Sequence, residues 1–312
     1  MIMRVSRQHL KTVLSIIIIV GVFTYLGLKL STEWETISKI NYWEHPSLIF
    51  LHFLLLALMY LCFVTGWFFS LGINNISLKF SESAFIWLVP NLGKYIPGKV
   101  FMIAGRIAFS KWFNIRKSEC ICAMTVEHIY MLIATSPFIL YFVDQKFLGD
   151  YSVSFLLYAV ALIGGVMFIF FPELFFIFFN KVLKLIRRSP ITASLSTKRN
   201  FFMIMIYLFA WSCYGLSGAV LASILNIDAG VSVLLIMSTF VVSWMLGFMS
   251  MLTPGGIGVR EAVIVLLLST KITAAEAITL AIVARITWTM VEMSGVLMGL
   301  YIKNKHLNTK LN

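Results

Sequence analysis

Seven stretches of the chain are apolar almost without interruption: residues 12–30, 47–72, 119–143, 152–179, 201–224, 230–252 and 275–302. Each is close to the ~20 residues that a helix needs to cross a hydrocarbon core. The pattern predicts seven long membrane-spanning helices. The first is an uncleaved span: the run that follows Arg4, Arg7 and Lys11 extends to Leu30, too long for a signal peptide, and no small-residue cleavage site closes it.

Two stretches break the pattern. Residues 82–112 carry Pro90, Gly93, Lys94, Pro97, Gly98 and Lys99 before a short apolar helix ending near Trp112. Residues 253–270 read Thr253-Pro254-Gly255-Gly256-Ile257-Gly258-Val259-Arg260-Glu261 and then an apolar helix of about nine residues. Backbone this irregular leaves N–H and C=O groups without partners, so it survives at membrane depth only inside protein or beside a wet cavity. Both stretches share a plan, in which proline ends one element, glycines turn the chain and a short re-entrant or half helix begins with free N–H groups. Paired breaks of this kind in the two halves of a chain point to a transport site. Glu127 lies 30 residues after Pro97 and Arg285 lies 31 after Pro254, spacing that fits an internal duplication. The expected fold class is an all-α polytopic membrane bundle, with seven long helices and two broken ones. No long linker or low-complexity segment interrupts it, so residues 1–312 read as a single integral membrane domain.

Composition agrees. The chain is 60% hydrophobic and 12% charged, with a mean hydropathy of +0.93, against roughly 45–50% and 25% in soluble domains. The net charge of +12 sits largely in short loops, where it sets topology rather than binding nucleic acid. Lys181, Lys184, Arg187, Arg188, Lys198 and Arg199 crowd one loop, whereas the loops at 31–45 and 144–151 are acidic or mixed. Positive-inside therefore puts the N-terminus and the 180–200 loop in the cytoplasm. Lys303, Lys305 and Lys310 favour a cytoplasmic C-terminus if residues 257–270 cross the membrane; a re-entrant segment would put it outside. Cys62, Cys120, Cys122 and Cys213 lack metal-site or disulfide-framework spacing and read as packing thiols. No cofactor or metal is expected.

The candidate chemistry lies at the two breaks. Lys99 and Arg106 are seven apart on one helical face, with Lys94 close by, beside a helix start that favours anions. Arg260 and Glu261 adjoin the second break, with Arg260 facing a ligand and Glu261 capping the helix or steadying a cation. Arg285 and Glu292, again seven apart with Trp288 on the same face, and Glu127 lie deep in long helices. A charge there costs ~2.5–3.5 kcal/mol, so these groups pair, bind a ligand, or both. The plainer readings are headgroup-seeking lysines, a local Arg260–Glu261 pair and a structural Arg285–Glu127 bridge. Taken together, Lys94, Lys99, Arg106, Arg260 and Arg285 outnumber Glu127, Glu261 and Glu292 by two, a balance suited to an anion with an apolar tail. Gly93, Gly98 and Lys99 match phosphate-loop spacing only as far as Val100, where Ser or Thr should stand, and no strand precedes them.

At these residues the chain resembles the flippase-like membrane domain of lysylphosphatidylglycerol synthases and their stand-alone relatives. Pro97-Gly98-Lys99 with Arg106, Glu127 in the next helix, Pro254 through Glu261, and Arg285 carry the resemblance. It implies a cell inner membrane protein that flips, or helps to process, an anionic phospholipid or a polyprenyl-phosphate glycolipid in envelope or surface-polysaccharide biogenesis. The soluble aminoacyl-transfer domain of the full-length synthases is not among these residues, so lysine addition is not expected. The rival readings are a membrane glycosyltransferase using Glu33 and Glu35, and a non-catalytic partner of envelope-assembly proteins.

Overall fold

The computed structural model of the chain describes residues 28, 31, 44–74, 76–95, 100–144, 165, 167–168, 170–191, 196–227, 230–250 and 253–311. All regular structure among them is helical, as the apolar pattern predicts. In order these are α1 (Pro46–Gly72), α2 (Phe80–Leu88), a 3-10 segment (Val89–Tyr95), α3 (Val100–Ser110), α4 (Lys117–Ile133), α5 (Ser136–Asp144), α6 (Pro172–Leu185), α7 (Thr197–Ile224), α8 (Val233–Met249), a 3-10 turn (Pro254–Gly256), α9 (Val259–Leu268) and α10 (Ala274–Leu311).

Four stretches are long and apolar enough to cross a membrane: Pro46–Gly72, Lys117–Phe142, Lys198–Ile224 and Ala274–Asn304. Helix α8 is shorter, with 17 residues. The expected span 12–30, apart from Leu28, and most of 152–179 lie outside the described residues. The run 119–143 is not one unbroken helix. It turns at Ala134–Thr135 because Pro137 has no N–H for the Ile133 carbonyl and its ring disfavours helix just before it. Proline has the opposite effect at Pro172, the first residue of α6, where no helical N–H is needed.

Several of the chain's few carboxylates begin helices. Glu82, Glu119 and Glu261 each accept the backbone N–H three residues earlier, from Lys79, Arg116 and Gly258, at 2.9, 2.9 and 2.6 Å. Thr273 and Glu276 cap α10 reciprocally, Thr273 N donating at 2.8 Å and Glu276 N donating to Thr273 Oγ1 at 3.2 Å. These caps satisfy first-turn N–H groups that have no partner within the helix, the one at Gly258 being buried and the others exposed.

The chain divides into two compact units. The first comprises Met1–Leu58, Leu92–Met102 and Ser212–Met293; the second comprises Met59–Asn91, Ile103–Trp211 and Ser294–Asn312.

In the first unit His52 of α1 joins two other helices. Its Nδ1 lies 2.9 Å from the Ser217 carbonyl of α7 and its Nε2 lies 2.9 Å from Thr287 Oγ1 of α10. A carbonyl can only accept, so Nδ1 carries a proton toward Ser217, while the Thr287 hydroxyl also lies 3.0 Å from the Val283 carbonyl of its own helix. Gly215 and Gly218 let α7 press against α8, since a Cβ at Gly215 would lie 2.8 Å from Met237 Cβ and one at Gly218 2.7 Å from the Phe240 ring.

The second unit packs around aromatic rings. Phe63 lies 5.2 Å from Trp211, 6.2 Å from Tyr207 and 6.1 Å from Trp87, centroid to centroid. Two polar tips in this unit find partners where helices meet: Trp211 Nε1 donates to the Met131 carbonyl at 2.9 Å, and the Tyr130 hydroxyl to Asn200 Oδ1 at 2.5 Å.

Candidate functional site

The first unit gathers three cations and two carboxylates. Lys94, from the 3-10 segment, places its Nζ 2.5 Å from Glu292 Oε1 of α10, and the neighbouring Tyr95 hydroxyl donates to Glu292 Oε2 at 2.7 Å. Glu292 is 1% exposed. About two helical turns earlier on α10, Arg285 Nε lies 3.6 Å from Glu261 Oε1. The Tyr95 ring serves both cations, with Lys94 Nζ 5.4 Å and the Arg285 guanidinium 5.8 Å from its centroid. Arg260 of α9 lies over Trp288 at 5.3 Å and Trp244 at 5.6 Å. Aromatic faces attract cations most strongly where water is scarce.

The glycine turn creates this arrangement. Gly255 has φ +59°, in the left-handed region that costs L side chains ~1–2 kcal/mol. A Cβ there would also sit 3.1 Å from the Tyr95 ring and 3.4 Å from Arg285. The turn's carbonyl at Gly255 accepts from Arg285 at 3.5 Å. On α8, a Cβ at Gly247 would come within 2.5 Å of Arg260 Cγ, so the bare backbone makes room for that side chain. Glu261 serves two neighbours, since one oxygen caps the Gly258 N–H and the other faces Arg285.

The second unit holds a separate pair. Arg106 of α3 places NH1 2.5 Å from Glu127 Oε2 of α4, and Trp87 Nε1 donates to the other carboxylate oxygen at 2.6 Å. The Arg106 guanidinium lies 4.9 Å from the Trp67 ring and 5.3 Å from the Trp87 ring. Both members are buried, at 2% and 0% exposure.

The profile described as the lysylphosphatidylglycerol synthase TM region matches residues 12–292, nine-tenths of the chain. The chain belongs to this family. No match to an individual curated protein was found.

Membership in the lysylphosphatidylglycerol synthase TM family makes this a multi-pass membrane protein of a lipid-handling group. Within it, Lys94, Arg260, Arg285, Glu261 and Glu292 come together in the first unit, and Arg106 joins Glu127 in the second. Pro97, Gly98 and Lys99 lie outside the described residues; Pro254 opens the 3-10 turn, and Gly255, Gly256 and Gly258 all have positive φ. The plainer reading of an Arg285–Glu127 bridge gives way to two other pairs, Arg285 with Glu261 and Arg106 with Glu127. Sequence reasoning missed Tyr95, Trp244 and Gly247, and gave Trp87 and Trp67 no role. Tyr95 lies within the first broken stretch and Trp87 three residues before Pro90, but aromatics in an apolar stretch carry no signal that separates cation faces from core.

Proposed function

We propose that this chain translocates, or helps to process, an anionic lipid in the cytoplasmic membrane, its N-terminus on the cytoplasmic side. The cargo is a phospholipid or a polyprenyl-phosphate-linked sugar, and its phosphate meets Lys94, Arg260 and Arg285. The supporting observation is the first unit's cluster itself: Lys94, Arg260 and Arg285 are gathered beside Glu261 and Glu292, among aromatic faces. Cations held together among aromatic rings in a membrane protein make a setting that favours an anion. A phosphate supplies that anion and leaves its acyl or prenyl chains to the lipid. Lys94 and Arg285 are the more accessible cations, with side chains 11% and 13% exposed. Family membership supports lipid as the cargo class. Arg106, matched one-to-one by Glu127, is assigned to positioning α3.

The test is a headgroup-translocation assay in reconstituted vesicles with fluorescent phosphatidylglycerol and a membrane-impermeant quencher. Arg285→Gln and Lys94→Gln are each expected to slow translocation roughly 10–100-fold, the equivalent of a charge-assisted hydrogen bond of ~1.5–3 kcal/mol. Elution as a monodisperse species checks that the variants fold. Parental rates in both variants would remove this cluster from the reaction.

A further inference from the structure

A second cationic site lies in the other unit, at the membrane edge. Arg116, Lys117, Ser118 and Ile121, at the start of α4, face Leu183, Ile186, Arg188 and Ser189, at the end of α6, across a cavity of about 520 Å³. Lys117 is the first residue of the Lys117–Phe142 span, which sets the cavity at the depth where hydrocarbon gives way to headgroups. The α6 end is tied off by its own backbone. Arg187 takes φ +54°, its N–H bonds the Lys184 carbonyl at 3.0 Å, and the Arg188 N–H bonds the Leu183 carbonyl at 2.8 Å. This closing turn satisfies the helix's last carbonyls and leaves Arg188 at the cavity. Glu119 takes part of the Arg116 charge, at 2.7 Å, and Lys117 and Arg188 remain in excess.

Beside the cavity, the exposed face of α6 is rich in apolar residues, with Lys181 and Lys184 exposed among them. On α6, Leu174, Ile177, Phe178, Val182 and Leu185 are exposed, Leu185 to 83%. A soluble anion would have no use for that strip, whereas acyl chains would cover it.

We propose that this cavity binds the phosphate of an anionic phospholipid, with the headgroup between Lys117 and Arg188 and the acyl chains along α6. The site is independent of the cluster at Lys94, Arg260 and Arg285, and its ligand is a resident lipid of the bilayer whether or not the chain moves one.

The experiment titrates the full chain in detergent with dioctanoyl phosphatidylglycerol, reading bound lipid by native mass spectrometry, in the parent and in an Arg285→Gln background. Dioctanoyl phosphatidylcholine and glycerol phosphate are the comparison ligands. Lys117→Gln with Arg188→Gln is expected to weaken phosphatidylglycerol binding at this site about 30-fold in both backgrounds. Lys117→Arg with Arg188→Lys should bind within about threefold of the parent. Ile121→Trp fills the cavity without touching a charge; it should also abolish binding, and it decides the question if the glutamine pair fails to fold. Unchanged binding in the glutamine pair or in Ile121→Trp overturns the proposal. So does glycerol phosphate or phosphatidylcholine binding as tightly as phosphatidylglycerol. Loss of translocation in Arg285→Gln with lipid still bound here would separate the two sites.

Discussion

Arg106 and Glu127 form a matched charge pair at the residue scale: the guanidinium has one carboxylate, two indole faces and 2% exposure. Breaking such a pair strands a charge, which costs ~3–5 kcal/mol, whereas replacing both partners with apolar groups costs far less. Arg106→Met is therefore expected to lower the thermal unfolding midpoint in detergent sharply. Adding Glu127→Leu should recover much of the loss, a coupling that a double-mutant cycle reads directly. Gly255→Ala tests the turn. Its φ of +59° and the nearby Tyr95 ring predict a loss of ~1–2 kcal/mol or more, seen as a lower midpoint. Residue types at the breaks were readable in the sequence, and so was the cap by Glu261, because a glutamate three residues into a helix has a defined reach. Pairing was not. Which carboxylate meets which guanidinium depends on how helices from distant parts of the chain dock, and spacing along one helix contains no such information.

Elements were legible where their length exceeded their irregularity. The runs around α1, α7 and α10 match the structure to within a few residues at most ends, because a helix in an apolar medium has no alternative way to satisfy its backbone. The kink between α4 and α5 was not anticipated, although Pro137 lay in plain view, since apolar periodicity outweighed a single residue in reading 119–143. Contacts between elements leave a different trace. Small residues on α7 let its backbone approach α8 closely, the packing that substitutes for a hydrophobic drive inside lipid. Gly218→Leu would have to displace the Phe240 ring, 2.7 Å from the added Cβ, and is expected to destabilise by ~1–3 kcal/mol. The same change at Gly72, whose added Cβ would meet nothing nearer than Arg199 NH1 at 4.0 Å, is the control for volume alone. Comparing the two midpoints checks the α7–α8 packing.

For the whole molecule, the composition alone dictates the solvent. Leu266, Phe178, Phe50 and Leu297 expose 64–72% of their surface, an arrangement stable only against acyl chains. The chain is expected to stay with membranes through alkaline carbonate washing and to leave only with detergent, as a fractionation blot would record. At this scale the family's imprint was readable from the glycine-rich break, but the division into two units was not. Apolar runs carry no mark of where one contact network gives way to another, and the changeovers at Leu58, Trp211 and Met293 fall in mid-helix.

Glu261 has one further implication. Its two oxygens hold a helix's first turn and a guanidinium on another helix, at 2.6 and 3.6 Å. An arriving anion that draws Arg285 away takes the counter-charge from a group already fastened to the backbone by its tighter bond. Were that to happen, the carboxylate would be left to the Gly258 N–H and the start of α9. Cargo recognition and the stiffness of the broken segment would then rise and fall together, a latch drawn by the load itself.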